Sequence, residues 1–280
     1  MLVGRSHECD NPAWVQALPR CSEPAFPVTV SSRAIDAEVR RRIAAGEELY
    51  RVDTSLIRSL HPDLVIAQSH CEVCAVTPAD LERGGDCLPT LALSAASVEE
   101  IFHSIRQIGD RLGLADRAQS VIEQETLRLQ KVRNRTAHLP RPTVVMLEWT
   151  DPLFSMGNWG PELLEIANGE LLFGSKGEYS ATVPPERLLE ADPDILIIAP
   201  CGFSLPRALE DRRVLERIPG WNSLRAVQHR KVAFADGNLY FNRSGMTISR
   251  TAEIIAEILQ GETFDEPSQG NAWCWSGDVL

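Results

Sequence analysis

The sequence predicts an α/β fold built on parallel sheets, and three observations carry that expectation. Short apolar runs rich in β-branched residues recur along the chain, with helical stretches between them. Most of the runs are continuous rather than alternating, which is the pattern of strands buried on both faces. The helical stretches open on clear start signals, so strand and helix alternate and stack in layers.

In chain order the runs are Leu2–Val3, Leu64–Ala67, Leu88–Leu93, Thr143–Leu147, Ile195–Ala199 and Val232–Ala235. Thr77-Pro78 offers an N-cap followed by proline at the first helical position, and Ser97-Val98-Glu99-Glu100 forms a capping box. In the middle the alternation breaks. Ile101, Ile105, Ile108 and Leu112 recur at helical spacing, and Gly113 supplies the stop. A second helix is expected from Ala115 to Ala137, with Ala118, Ile122 and Leu129 on one side. At ~1.5 Å per residue it is roughly 34 Å long, the height of a small domain. It ends at Pro140-Arg141-Pro142, after which the alternation resumes. The expected organisation is an N-terminal α/β lobe over 1–96, a rigid helical connector over 97–140, a C-terminal α/β lobe over 141–260 and a polar tail over 261–280. The tail, in which Trp273 and Trp275 stand among polar residues, reads as disordered.

Composition narrows the function. The chain has 280 residues, with 28 basic and 39 acidic side chains and a net charge of −11. Hydrophobic residues are 44% and charged residues 24%, which excludes intrinsic disorder, collagen and coiled coil. No stretch approaches the ~18 apolar residues that cross a bilayer. The acidic balance argues against nucleic acid, whose binding needs clustered Lys and Arg. The compact basic run Arg40-Arg41-Arg42 lies in a helical segment and reads as a solvated face. Seven cysteines, an odd and scattered set, do not read as a disulfide framework, which leaves free thiols, a metal site or a reducing compartment open. Met1 runs straight into His7, Glu8, Cys9 and Asp10 with no signal peptide, which as written is a cytoplasmic start.

In open parallel sheets, ligands bind just beyond the carboxyl ends of the strands. The segments that follow the expected strands are therefore the candidates. They are Gly4–Asp10 with His7 and Cys9, Gln68–Cys74 with His70, Cys71 and Cys74, and Glu148–Pro152 with Trp149 and Asp151. Next come Gly157-Asn158-Trp159, Pro200–Phe203 with Cys201, and Asp236–Phe241 with Asn238 and Tyr240. Cysteine-bearing and aromatic-acidic loops thus converge on one edge, which marks a site or a cleft. The Cys71/Cys74 spacing suits a metal ligand pair or a redox dithiol. The helix starts only at Thr77-Pro78, so the dipole that would activate a redox thiol is displaced. A closed zinc site would need Cys9, Cys201, His7 or His70 to complete it. His7 and His70 suit metal ligation, titration near neutral pH or plain structural hydrogen bonding. Glu148 and Asp151 are a candidate acid–base pair. Trp149, Trp159, Tyr240 and Phe241 serve either packing between lobes or stacking on a flat ligand. There is no P-loop, nucleophile elbow, H-E-x-x-H or dinucleotide fingerprint, so binding is the better reading than catalysis.

The same segments carry a resemblance. Val3–Asp10, Pro62-Asp63-Leu64 leading to Gln68, Cys71–Val76, Glu148–Pro152, Pro200–Phe203 and Asp236–Arg243 resemble the cobalamin-binding-protein-like branch of substrate-binding proteins with the iron/B12 periplasmic-binding domain. The resemblance runs from residue 2 to about 260. It implies two α/β lobes joined by one rigid helix, a corrinoid such as cobalamin or another metal chelate held between them, and little closure on binding. It also implies a partner, the permease of an ABC importer, met through acidic surface residues. On this reading Trp149, Trp159, Tyr240 and Phe241 stack on the ligand, and Glu148, Asp151, Asn238 and Phe203 complete the contacting set. His7, Cys9, Cys71, Cys74 and Cys201 are wall residues with metal contact open. The competing reading is a metal- or haem-binding protein that uses the cysteine and histidine loops; a third is an enzyme acting through Glu148, Asp151 or a cysteine. The chain departs from the family in three places. Relatives begin earlier with a first strand and helix, so the N-terminal strand is expected to be missing and an extracytoplasmic location stays open. Asn158 stands where relatives often carry histidine, and Ser244-Gly245 replaces Pro-Gly.

Overall fold

A computed structural model describes residues 1–70, 73, 75–82 and 88–278. They form two compact units, Met1–Ser94 and Ala95–Leu280.

In the first unit β1 (Ser22–Pro24) pairs antiparallel with β2 (Tyr50–Val52), and α1 (Ser32–Ala45) lies between them in sequence. The α1 helix begins where Ser31 Oγ accepts the Ala34 N–H and stops at Gly46 in the left-handed conformation. Arg40, Arg41 and Arg42 are paired with Asp36, Glu38 and Glu47, so the basic run is an ion-paired surface. After α2 (Thr54–Ser59), β3 (Val65–Gln68) pairs parallel with β4 (Thr90–Leu93), close to the expected runs. Between these strands α3 (Pro78–Glu82) starts at the Thr77-Pro78 signal, where Asp80 Oδ2 accepts the Thr77 N–H at 2.8 Å. Cys21, Ile57, Ala67 and Leu81 form the core. The expected strand at Leu2–Val3 is not formed. The first ladder contact is an isolated bridge between Arg5 and Arg20.

The second unit opens with α4 (Val98–Arg111) and α5 (Ala115–Thr136), followed by β5 (Thr143–Thr150), β6 (Leu153–Ser155), α6 (Gly160–Ile166) and β7 (Glu170–Leu171). Then come α7 (Pro185–Ala191), β8 (Ile195–Ile198), α8 (Leu205–Glu210), α9 (Arg212–Leu215), α10 (Arg225–Gln228), β9 (Val232–Ala235), α11 (Ile248–Gln260) and β10 (Trp273–Trp275). The sheet order is β10-β9-β8-β5-β6, with β7 beside the amino end of β5. Strands β5, β7, β8 and β9 are parallel; β6 and β10 add antiparallel edges.

Strand side chains alternate, and both faces are buried. Val144, Met146, Ile195, Ile197, Ala233 and Ala235 pack with Ile101 and Phe102 of α4, Ile122, Leu129 and Val132 of α5, Leu163 of α6 and Ile255 of α11. The alternate residues Val145, Leu147, Leu196, Ile198, Val232 and Phe234 are equally buried, on the face where α8 meets β9 and α10 meets β8. Continuous apolar strands follow from this double cover. The long helix is buried along Ala118, Ile122, Leu129 and Val132, so α4 and α5 belong to the second unit by packing. Among the described residues, no helix is long and apolar enough to cross a membrane.

The tail corrects the expectation of disorder. Trp273, Cys274 and Trp275 pair antiparallel with Ala235, Phe234 and Ala233, and Trp273 is only 2% exposed. Polar flanks disguise a three-residue edge strand whose indoles supply the burial. Glu257 Oε2 accepts the Ser268 N–H at 2.9 Å, and Lys131 Nζ meets Asp265 Oδ1 at 2.9 Å, which ties the approach to the strand. Trp273→Ala is expected to cost about 3–5 kcal/mol by chemical denaturation, the range for emptying a buried aromatic site.

Candidate functional site

Because β5, β7, β8 and β9 run parallel, their carboxyl ends share one edge, and the segments that leave them lie along it. The ladder continues past the strands. Ala199 N–H donates to the Leu147 carbonyl at 2.9 Å, and Cys201 N–H donates to the Glu148 carbonyl at 2.9 Å, so the loop after β8 stays in register with β5. The loop after β9 is locked onto it in turn. Asn238 N–H donates to the Phe203 carbonyl at 3.0 Å, and Asn242 Nδ2 donates to the Ala199 carbonyl at 2.9 Å. Gly237 is required at this junction because a Cβ there would lie 2.0 Å from the Pro200 carbonyl oxygen. Arg243 Nη2 donates to Asn238 Oδ1 at 3.1 Å and fixes that amide.

The aromatic part of the edge is built on this frame. The Trp149 and Phe203 rings lie 5.2 Å apart at 54°, and the Arg207 guanidinium sits 4.2 Å from the Phe203 centroid. Arg207 Nη1 also meets Asp211 Oδ1 at 3.3 Å, and Thr150 Oγ1 donates to the same buried Asp211, so the stack is anchored to β5 and α8 together. The indole Nε1 of Trp149 is buried without an acceptor among the described residues.

Glu148 is set by a β-bulge, since the register between β5 and β6 shifts between Leu147 and Trp149. Its carboxyl accepts the Ser180 hydroxyl and the Gly157 N–H, and burial holds its pKa above the ordinary glutamate value despite those donors. Asp151 stands in the hairpin turn between β5 and β6.

The structure therefore brings together Glu148, Trp149, Phe203, Asn238 and Cys201, and sets Asp151 at the neighbouring turn. Trp159 (7% exposed) and Phe241 (2% exposed) lie in the main core with Tyr240 packed against them, so of the four expected stacking residues only Trp149 and Tyr240 keep partly exposed surface. Trp159 and Phe241 pack within the core of the second unit itself, which is neither the packing between lobes nor the stacking on a ligand that was expected of them. Ser180, Gly157, Asp211 and Asn242 escaped the sequence reading, because their roles come from contacts across 23 to 61 positions.

In the first unit, His7 and Cys9 share one loop. Ser22 Oγ accepts the His7 N–H at 3.2 Å and lies 2.9 Å from Nδ1, while Nε2 is 3.4 Å from Glu8 Oε1 and the ring stands 5.1 Å from Tyr50. The His7 side chain is 7% exposed, and burial, aided by the charges of Arg20 and Arg5 against the opposing Glu23, lowers its pKa to about 4. An unfolded imidazole titrates near its ordinary 6.5, so between those values the unfolded chain binds a proton that the folded one refuses. Stability is therefore full above 6.5 and falls, by on the order of 3 kcal/mol, as pH drops toward 4. Protection factors of the β1 and β2 amides, corrected for intrinsic exchange at each pH, should fall across that window in the wild type, and His7→Gln should flatten the slope; equal slopes would refute the assignment.

Cys9 is exposed and Cys201 half-buried, both as free thiols; His70 N–H donates to Gln68 Oε1 at 2.9 Å. Cys71 and Cys74 lie outside the described residues. Among the described residues no group of three or more His, Cys, Asp or Glu side chains is arranged to hold a metal ion.

Comparison with known proteins agrees with this architecture. The chain is 23% identical over 236 residues to the uncharacterised ABC transporter substrate-binding lipoprotein YvrC of Bacillus subtilis (strain 168), covering 82% of this chain and 71% of that protein. It is similar in fold to a periplasmic heme-binding protein from Pseudomonas aeruginosa, with TM-score 0.69, 19% identity and coverage of 94% of this chain and 86% of that one. It is also similar to the periplasmic vitamin B12 binding protein BtuF of Vibrio cholerae, with TM-score 0.63, 17% identity and coverage of 92% and 87%. The family model described as periplasmic binding protein matches residues 43–239, more than half of the chain, and the chain belongs to that family.

Proposed function

We propose that this chain is the substrate-binding component of an ABC-type uptake system and holds a corrinoid such as cobalamin, or a closely related planar metal chelate, without transforming it. The observation that carries the reading is the locked carboxyl edge of the second unit, where the loops after β5, β8 and β9 place Trp149, tilted against the buried Phe203, beside Asn238 and Tyr240. The half-buried Trp149 ring is backed by the buried Phe203, itself held by backbone hydrogen bonds and one guanidinium, so a flat ligand would meet a preorganised Trp149 face with little side-chain ordering. The relative named as an ABC transporter substrate-binding lipoprotein, and the fold neighbours named for heme and vitamin B12, support the same class of ligand, an importer permease as partner and an extracytoplasmic location.

The test is an absorbance and calorimetric titration of the full chain with cyanocobalamin, cobinamide and haemin. Saturable one-to-one binding of a corrinoid supports the reading. Binding of haemin alone would replace the corrinoid by a porphyrin on the same surface, and no response to any of the three, in a chain shown to be folded, would sink it.

A further inference from the structure

Among the described residues of the second unit, Leu112, Leu114, Leu127, Tyr179 and Met246 are the large apolar side chains left exposed. Leu112 and Leu114 lie in the corner between α4 and α5, and Leu127 lies on α5. Tyr179 and Met246 both lie on the carboxyl edge, in the segments that leave β7 and β9. Tyr179 is 65% exposed, yet the segment bearing it is firmly held. Lys176 Nζ meets Glu162 Oε1 at 2.7 Å, Asn158 N–H donates to the Glu178 carbonyl at 2.7 Å, and Ser155 N–H donates to the Ala181 carbonyl at 2.8 Å. The segment presses so closely on Gly157 that a Cβ there would lie 2.5 Å from the Glu178 oxygen and 2.6 Å from the Ser180 nitrogen. Beneath it the Glu148 carboxyl accepts both the Ser180 hydroxyl and the Gly157 N–H.

We propose that Tyr179 is a ligand-contacting aromatic of this edge, and that Glu148 is a positioning residue which acts through Ser180 to hold it there. The proposal rests on the reading above and adds to it the residue that closes the β6 side of the surface, opposite the Phe203 side. A tyrosine ring displayed on a clamped backbone supplies flat contact area with a polar tip at little ordering cost. Tyrosine has only two side-chain torsions to order, and the backbone is already fixed. The same geometry reassigns Glu148. Its carboxyl is taken up by protein donors, so its influence on the ligand passes through the segment it holds.

The experiment is an absorbance titration with cyanocobalamin and with haemin of the wild type, Tyr179→Ala, Tyr179→Phe, Glu148→Ala, Glu148→Gln, the double Tyr179→Ala/Glu148→Ala variant and Leu127→Ala, each with its melting temperature. Tyr179→Ala is expected to weaken binding about tenfold, Tyr179→Phe to keep it, and Leu127→Ala to leave it unchanged. Glu148→Ala is expected to lose no more than Tyr179→Ala and to add nothing in the double variant, while Glu148→Gln, which keeps an acceptor, restores binding. Where Glu148→Ala fails to fold, Ser180→Ala makes the same comparison. A wild type that binds while Tyr179→Ala binds within about twofold of it overturns the proposal and leaves the reading standing. Additive losses for Tyr179 and Glu148 overturn the positioning role, because Glu148 then touches the ligand itself. A wild type that binds neither probe removes the reading, and the proposal with it.

Discussion

Gly237→Ala is expected to lower stability by about 2–4 kcal/mol and to weaken ligand binding at least about tenfold, although glycine and alanine differ by one methyl group. The added carbon would lie 2.0 Å from the Pro200 carbonyl oxygen, 2.7 Å from its carbon and 2.8 Å from the carbonyl carbon of Ala199. These are backbone atoms in a loop registered on β5, so no side-chain rotation relieves the clash. The loops after β8 and β9 must separate. The bonds from Asn242 to Ala199 and from Asn238 to Phe203 then lengthen, and Phe203 drifts from under Trp149. Gly245→Ala is the control, since nothing lies within 4 Å of a Cβ at that position and its effect should stay within about 0.5 kcal/mol. Chemical denaturation with ligand titration on both variants separates the cases. A Gly237→Ala protein as stable as the wild type would show that the two loops are not locked together.

Trp149→Ala is expected to raise Kd by about tenfold to a hundredfold, the range for a buried aromatic anchor, while lowering stability by only about 1–2 kcal/mol. The asymmetry follows from position. The ring is half-buried at the end of β5 and covers Phe203 on one side, so truncation costs the protein part of one aromatic contact and costs the ligand its main flat surface. Arg207 remains on Phe203 and Asp211 in the variant, which limits collapse of the stack. Trp149→Phe should recover part of the affinity by restoring a ring without the indole N–H. Unchanged affinity in Trp149→Ala would mean that the ligand sits elsewhere.

Long continuous apolar strands were the legible part of the fold. β5, β8 and β9 fall on the expected runs because burial on both faces forces consecutive Val, Ile, Leu and Ala; β3 and β4 also fall on theirs, although Ile66 and Ala92 are exposed. The helix starts at Thr77 and Ser97 were legible because capping is a local bond, and Ser97 Oγ does accept the Glu100 N–H at 3.3 Å. What escaped is what is short or long-range. β1, β2, β6, β7 and β10 are two or three residues each, and β1 ends on proline. Trp273-Cys274-Trp275 gains its place only from β9, which a polar stretch of sequence does not announce. At the candidate site, Trp149, Phe203 and Asn238 were legible because strand ends point to the ligand edge. Ser180 and Tyr179 were not, since they depend on a bulge at Glu148 and a close approach at Gly157. Trp159 and Phe241 show the converse limit. An aromatic beside a site in sequence has no mark that tells a binding surface from the core beneath it.

If the ligand lies on the carboxyl edge of the second unit, hydrogen–deuterium exchange with and without saturating cyanocobalamin will show it. Protection is expected to concentrate in 148–159, 176–182, 200–207 and 236–243, with the outer turns of α5 and α11 unchanged. Protection that bypasses those segments while binding is saturated would contradict that placement.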